Sequence, residues 1–163
     1  MASGQTLVTF TALDGEPPAS NYATLDTRNN HPVLDFDTTT GETIYFSGVM
    51  PRNYAGGGVT VTLMWAATSA TSGTIGWTVA WERLADGGTD TDADSFASAN
   101  TLTAETVDGT SGILDYGTVA FTDGAQMDST AAGEAFRISV TRDVANDTAT
   151  GDAELFAVEI KET

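Results

Sequence analysis

Cysteine is absent from this 163-residue sequence, and histidine occurs once, as His31. The first absence excludes disulfides and thiolate chemistry. The second almost excludes a zinc site, which needs several His or Cys ligands, and it leaves no marked Ser/His/Asp arrangement for nucleophilic catalysis. Gly56-Gly57-Gly58 lacks the Lys-Ser/Thr pair that completes a phosphate-binding loop. We therefore predict a protein that is not an enzyme and that carries no cofactor, calcium aside.

Positive charge is also scarce. Six Lys and Arg stand against 23 Asp and Glu, which gives a formal net charge of −17. Such a chain cannot displace counterions from nucleic acid, and an anionic membrane repels it. No apolar run approaches the roughly 18 residues of a membrane span, and no basic-then-apolar leader follows Met1. The acidity fits a crowded soluble assembly, a salty habitat or cation binding.

Apolar and polar residues alternate through several short segments, with the period of a half-buried strand. The pattern is clearest in residues 59–65 and 75–81, where every odd position is apolar. A Ser/Thr/Gly-rich stretch, residues 66–73, joins these two segments. The arrangement predicts a β-hairpin with a wide loop.

Further strands are predicted by the same alternation, and turn residues separate nearly all of them. They cover residues 7–12, 22–26, 33–36, 43–49, 102–106, 117–121, 135–140 and 153–160. At most, residues 126–132 form one or two helical turns. About 8–10 short strands predict an all-β fold, an antiparallel β-sandwich of jelly-roll type. We expect a single domain over residues 1–163, with a flexible N-terminus at about 1–5 and an acidic loop at 86–95.

The acidic loop is a candidate calcium site. It contains Asp86, Asp90, Asp92 and Asp94. Calcium takes six to eight oxygen ligands, and alternating Asp residues in a flexible loop offer them. The spacing is not that of an EF-hand, because Ser95 stands where that loop requires glycine. A solvated acidic loop explains the same residues without a metal.

Aromatic residues offer a second kind of site. Trp77 and Trp81 share one strand face about 13 Å apart, so they either stack on a glycan or fill the core. Their face has no polar member, which favours the core. Paired carboxylates for glycoside hydrolysis are always available in so acidic a chain and carry no specificity. We predict partner or ligand contacts at Arg52, Tyr45, Tyr54 and Tyr116.

Several segments carry a family resemblance: TLDT at 24–27, HPVLDF at 31–36, ETIYF at 42–46, MPRNY at 50–54, LMW at 63–65, GTIGW at 73–77, AGEAFRI at 132–138, RD at 142–143, NDT at 146–148 and GDAEL at 151–155. Together they resemble small jelly-roll proteins encoded among the virion genes of tailed phages. The resemblance implies a homotrimer on a particle surface, as capsid decoration (cement), head fibre or tail-fibre tip. It implies an architectural role for Arg52 and Arg142, and an arginine in so acidic a chain is expected to pair with a carboxylate.

Two functions follow as hypotheses. The first is a non-enzymatic phage protein at the virion surface, whose partners are a capsid or tail protein, or a host surface glycan. The alternative is a carbohydrate-binding module, with or without calcium. Buried Trp77 and Trp81 favour the first function, whereas an exposed aromatic strip on one sheet favours the second.

Overall fold

A computed structural model describes residues 4–163, and every predicted strand is present in it. The strands are β1 (Thr6–Thr11), β2 (Thr24–Arg28), β3 (His31–Phe36), β4 (Thr43–Val49), β5 (Val59–Ala67), β6 (Thr74–Leu84), β7 (Asn100–Thr106), β8 (Asp115–Phe121), β9 (Ala135–Arg142) and β10 (Ala153–Glu162). Short 3-10 turns, Ala12–Asp14 and Ala125–Met127, follow β1 and β8.

The strands form two antiparallel sheets around one core. The six-stranded sheet has the order β2-β3-β10-β5-β8, and β1 also pairs with β10. The four-stranded sheet has the order β4-β9-β6-β7. In β9 the even positions Phe136, Ile138 and Val140 are fully buried, while Arg137 and Ser139 between them point outward. The predicted all-β sandwich of jelly-roll type is confirmed.

The predicted hairpin of β5 and β6 is wrong. β5 pairs with β10 and β8 in the six-stranded sheet, whereas β6 pairs with β9 and β7 in the four-stranded sheet. Residues 68–73 therefore cross from one sheet to the other. Both strands turn an apolar row toward the same core, and that alternation is identical for neighbouring strands and for strands that face each other across a sandwich.

The tryptophans of β6 fill the core, as their apolar strand face predicts. Trp77 and Trp81 are both fully buried. Trp81 stacks on Phe136 with ring centroids 4.6 Å apart, and its Nε1 donates a hydrogen bond to Thr130 Oγ1 at 2.9 Å. Phe36 packs edge-on against Trp77 at 4.9 Å. Any aromatic surface that contacts a ligand must therefore come from other residues.

Arg142, the last residue of β9, links the two sheets. Arg142 is only 1% exposed. Its Nε donates to Asp147 Oδ2 at 2.8 Å, and its Nη1 donates to the carbonyl oxygens of Phe36 at 3.0 Å and Gly151 at 2.9 Å. The expected pairing of an arginine with a carboxylate is thus present inside the fold.

Gly4 and Gln5 pair with the end of β10. Gly4 N donates to Glu162 O at 2.7 Å, and Glu162 N donates to Gln5 O at 3.0 Å. The first three positions of the predicted flexible segment, residues 1–5, lie outside the described residues. Across residues 4–163, no helix has the length and apolar character needed to cross a lipid bilayer.

Candidate functional site

The outer face of the four-stranded sheet carries a row of threonine side chains. The strand register opposes them in turn, in the order Thr43, Thr141, Thr78 and Thr101. Directly opposed residues point to the same side of a sheet, so the row crosses it at the strand spacing of about 4.8 Å. The hydroxyls of Thr43 and Thr141 are hydrogen-bonded at 2.7 Å. We call the outward side chains of β4, β9, β6 and β7 the four-stranded face.

An aromatic pair stands beside this row on the same face. Tyr45, two positions along β4 from Thr43, lies against Phe96 with ring centroids 5.1 Å apart. The guanidinium carbon of Arg137 lies 5.2 Å from the Tyr45 ring centroid and 5.3 Å from that of Phe96. A cation at this distance is attracted by the negative face of each ring. Tyr45, Phe96 and Arg137, all half-buried, form what we call the aromatic cluster.

Glu82, on β6, holds the guanidinium of the cluster in place. Arg137 Nε and Nη2 lie 2.6 and 2.5 Å from Glu82 Oε2. The Glu82 side chain is 4% exposed and that of Arg137 is 32% exposed. Hydrogen bonds between charged groups are short and strong, and a buried carboxylate needs its partner. The pair therefore fixes the orientation of Arg137 while its outer side meets solvent.

The margin of the face beyond β4 is also polar. Glu16 forms a single antiparallel bridge with Tyr45, so the segment before β2 runs along this edge. The Ser47 hydroxyl donates to Glu16 Oε2 at 2.8 Å. Hydroxyl and carboxylate groups thus border the aromatic cluster on that side.

Phe96 reaches the cluster from the long loop between β6 and β7. Ala97 N donates to Trp81 O at 2.7 Å, which anchors this part of the loop against β6. Earlier in the loop, Thr89 N donates to Ala85 O at 3.2 Å and closes a turn. The loop therefore holds Phe96 over the sheet through backbone hydrogen bonds.

The same loop carries the predicted calcium ligands. Asp86, Asp90, Asp92 and Asp94 are all exposed, and the Asp90 carboxylate accepts a hydrogen bond from Asp92 N at 3.1 Å. Within the described residues, no three His, Cys, Asp or Glu side chains converge on a possible metal position. The structure does not bring these four carboxylates together, because separate turns carry Asp86 and the other three. Calcium binding stays a prediction of the sequence.

The predicted contact residues lie in four different places. Tyr45 lies on the four-stranded face, and Tyr116, 58% exposed, lies on the outer face of the other sheet. Arg52 is exposed in the turn after β4. Tyr54 is buried, and its hydroxyl donates to Asp123 Oδ1 at 3.1 Å. Burial is the main cause that raises the pKa of Tyr54 to about 12. The ring of Tyr54 therefore closes one end of the core instead of lying on the surface.

Sequence reasoning missed Phe96, Arg137 and Glu82. Alternation in β6 and β9 does place Glu82 and Arg137 outward, opposite the apolar rows. It does not show that these two strands are neighbours, which is what joins the two charges. Phe96 follows the acidic loop in a stretch without periodicity, and no pattern marks it as part of a site.

Carboxyl groups with raised pKa values lie away from the aromatic cluster. Burial and the nearby charge of Asp115 raise the pKa of Glu105, and burial raises the pKa of Asp115. A glycosidase needs one carboxyl that stays protonated beside one that stays ionised. Glu105 and Asp115 lie on β7 and β8, away from the aromatic cluster, so they do not place such a pair at the candidate site.

No protein-family model matches the chain, and no curated protein matches its sequence. Solved structures do match its fold. The CBM22-1–GH10 modules of Clostridium thermocellum endo-1,4-β-D-xylanase 10B, complexed with xylohexaose, give a TM-score of 0.56 at 13% identity over 98% of this chain and 29% of that one. The CBM22-1 xylan-binding domain of Paenibacillus barcinonensis Xyn10C gives 0.50 at 12% identity, over 99% and 96%. The carbohydrate-binding module CBM6cm-2 of Cellvibrio mixtus lichenase 5A, in complex with cellotriose, gives 0.50 at 14% identity, over 98% and 99%.

These similarities show the β-sandwich fold. The chain spans less than a third of the xylanase polypeptide but nearly the whole of the two isolated modules. The predicted function as a phage surface protein is contradicted here, because the three structures of similar fold named above contain carbohydrate-binding modules. The resemblance of the segments to virion proteins, the homotrimer and the virion location stay predictions of the sequence.

Proposed function

We propose that the chain is a carbohydrate-binding module that binds a neutral polysaccharide on the four-stranded face and does not cleave it. The observation that carries this proposal is the aromatic cluster, in which two rings and a fixed guanidinium stand beside a row of hydroxyls. Structures of similar fold support it, since one is a xylan-binding domain and another is a module in complex with cellotriose.

The chemistry of the cluster suits a sugar ring. A pyranose has an apolar C–H face and a rim of hydroxyls, so it binds where ring surface and directional polar groups meet. Tyr45 and Phe96 supply the ring surface. Arg137 has a planar fork of donors, and because Glu82 holds Nε and Nη2, the Nη1 donors are left for a ligand hydroxyl.

Charge selects a neutral glycan over an acidic one. The positive charge of Arg137 is offset by Glu82, and Glu16 adds a second carboxylate at the margin of the face. The whole chain carries a formal charge of −17. Polysaccharides that bear carboxylate or sulfate groups are therefore repelled both by the face and by the long-range field.

The carboxylates of the face serve binding rather than hydrolysis. Glu82 accepts a hydrogen bond from Arg137 Nε and lies 2.5 Å from its Nη2, and Glu16 accepts a hydrogen bond from the Ser47 hydroxyl. A general acid for glycoside cleavage is a protonated carboxyl, normally in an apolar pocket. Glu82 instead lies against the Arg137 guanidinium and orients that side chain, and Glu16 lies at the open margin of the sheet.

Calorimetric titration with xylohexaose and with cellotriose tests the site. We expect Tyr45→Ala and Phe96→Ala each to weaken binding by at least about tenfold, because each removes ring surface that contacts the sugar. Tyr116→Ala is the matched control, since it removes an exposed tyrosine from the opposite sheet. We expect that variant to bind within about twofold of the wild type.

A different result would contradict each part of the proposal: the position of the site, the absence of cleavage and the binding of saccharide. If the wild type binds and both cluster variants bind equally well, the site lies elsewhere. Release of reducing sugar from xylan by the wild type would show that the chain cleaves its ligand. If neither oligosaccharide nor the parent polysaccharides bind to the wild type, the proposed function itself is wrong. Circular dichroism of each variant confirms that the sandwich is folded.

A further inference from the structure

A groove crosses the outer face of the six-stranded sheet, on the opposite side of the sandwich from the aromatic cluster. It consists of two cavities of about 350 and 290 Å³ that share His31 and Phe156. The first cavity is also lined by Arg28, Asn29, Gly112 and Leu114, and the second by Thr11, Ala12, Leu13 and Pro32. Both volumes lie near the lower end of the range for small-ligand sites. We call this feature the Phe156 groove.

Phe156 lies where β10 changes its partner. β3 pairs with β10 as far as Leu155, and on the same edge β1 takes over from Ala157. On the other edge, the pairing with β5 has a bulge at the same place: Leu155 is opposite Trp65, Ala157 is opposite Met64, and Phe156 between them has no partner on β5. An extra residue in a strand re-aims a side chain and opens the ladder. The bulge thus turns an aromatic ring outward where the two neighbouring strands separate.

The wall of the groove beside the first cavity is built around Arg28. Its Nη1 donates to Glu154 Oε2 at 2.6 Å and to Thr68 O at 3.2 Å. The guanidinium packs on Gly112, where an added Cβ would lie 2.6 Å from Nη2. Gly112 has a φ of +82°, so glycine is required there on two grounds. Arg28 is therefore held in position at the groove rather than left free in solvent.

A tight turn presents the other polar groups of that wall. Asn29 and Asn30 have φ values of +46° and +66°, as in the two-residue turns that close hairpins, and they join β2 to β3. Arg28 is paired with His31 across this turn. Arg28 and His31 therefore flank the hairpin tip, Asn29 lies within it, and His31 borders both cavities.

We infer that the Phe156 groove is a second saccharide site that takes a disaccharide-sized stretch of neutral glycan, so that the module holds glycan on both faces. This inference rests on the proposed function. An aromatic floor with a cavity on each side suits two adjoining sugar rings. Arg28, Asn29 and His31 supply polar groups along one wall, and the exposed side chains of Leu13 and Leu114 border the C–H surfaces.

The charges around the groove argue against other small ligands. Behind Arg28 lie the carboxylates of Glu154 and Asp35, and Asp35 also feels the charges of Asp152 and Asp26. An anionic ligand would meet this negative field once past the single guanidinium. A purely apolar ligand would cover Asn29 and His31 without giving them hydrogen bonds, which is costly. A neutral sugar meets both requirements.

NMR titration of 15N-labelled protein with xylohexaose and with cellotriose tests the inference, because it observes both faces at once. In Tyr45→Ala we expect the amides around Phe156 and His31 to shift as in the wild type, while those of the four-stranded face do not. Phe156→Ala should weaken binding at the groove by at least about tenfold and leave the other face within about twofold. His31→Ala, at an exposed position, repeats the test without touching the bulge, and Leu25→Ala is the control on the same hairpin.

The outcomes separate the two proposals. Shifts confined to the four-stranded face overturn the groove inference and leave the proposed function standing. Shifts confined to the groove overturn the proposed site and support the second one. Absence of shifts on both faces overturns both. If the groove amides shift with protein concentration in the absence of sugar, a second copy of the chain occupies the groove and the saccharide inference is wrong.

Discussion

The outer faces of the two sheets differ in charge balance. On the four-stranded face, Arg137 and Glu82 balance one another and support the aromatic cluster. On the six-stranded sheet, Arg28 pairs with Glu154, but Asp35 lies close to several further carboxylates. Burial, followed by the charges of Asp152, Glu154 and Asp26, raises the pKa of Asp35 to about 6. The first face is organised to hold polar groups still, whereas the second retains repulsion that changes with pH.

The largest expected effect comes from Arg142, which joins the two sheets. Arg142→Met leaves Asp147 buried without a partner and removes the donors to Phe36 O and Gly151 O. Breaking a buried ion pair by removing one partner typically costs 3–5 kcal/mol, so we expect a loss of about 4 kcal/mol in the free energy of unfolding. Urea denaturation measures it. Arg52→Met, at an exposed arginine, should cost less than about 0.5 kcal/mol. Equal losses in the two variants would show that Arg142 does not link the sheets.

A smaller loss in the free energy of unfolding is expected when either of the two partly exposed arginines, Arg28 or Arg137, is replaced. Arg28→Met should cost about 3 kcal/mol and Arg137→Met about 2 kcal/mol, because each leaves a largely buried glutamate without its cation. The first loss is larger because Glu154 then also faces Asp35. The same urea experiment decides between them. A loss for Arg137→Met that equals or exceeds that for Arg28→Met would show that the two faces do not differ in charge balance.

Strand positions were predictable from the sequence because alternation is local. Every predicted strand forms, and β4 has the predicted bounds of residues 43–49. The outward direction of Tyr45 and the inward direction of Trp77 follow from the same period of two. Strand pairing was not predictable in this way. The hairpin of β5 and β6 failed because alternation shows which side of a strand is buried, and not which strand lies beside it.

The candidate sites depend on which strands are neighbours and on how loops and bulges place single side chains, and the alternation of apolar residues does not show either. The aromatic cluster requires β4, β9 and β6 to be neighbours and requires a loop residue, Phe96, to fold over them. The Phe156 groove requires a bulge and a change of partner along β10, neither of which leaves a periodic signature. The buried position of Tyr54 follows from its contacts at the end of the sandwich, which no spacing reveals.

The smallest effect is the pH dependence that Asp35 adds. Its pKa is about 6 in the folded chain and 3.8 ordinarily, so between these pH values the folded state binds a proton that the unfolded state does not. The resulting stabilisation is complete below pH 3.8 and is lost as the pH rises through about 6. Asp35→Asn removes this dependence. Because Asp35 is half-buried and solvent screens it, we expect a gain on the order of 1 kcal/mol at pH 7.

Asp37 provides a control of opposite sign two residues away. Hydrogen bonds from Thr39, first from its backbone N and then from its hydroxyl, and one from Thr40 N lower the pKa of Asp37 to about 2. Its contribution to stability is present above pH 3.8 and is lost as the pH falls toward 2. Asp37→Asn should therefore destabilise the fold at pH 7, where Asp35→Asn stabilises it. Thermal unfolding from pH 3 to pH 8 measures both variants. Parallel curves for Asp35→Asn and the wild type between pH 4 and 6 would show that the six-stranded face carries no carboxylate repulsion, and the contrast between the two faces would then lie in shape alone.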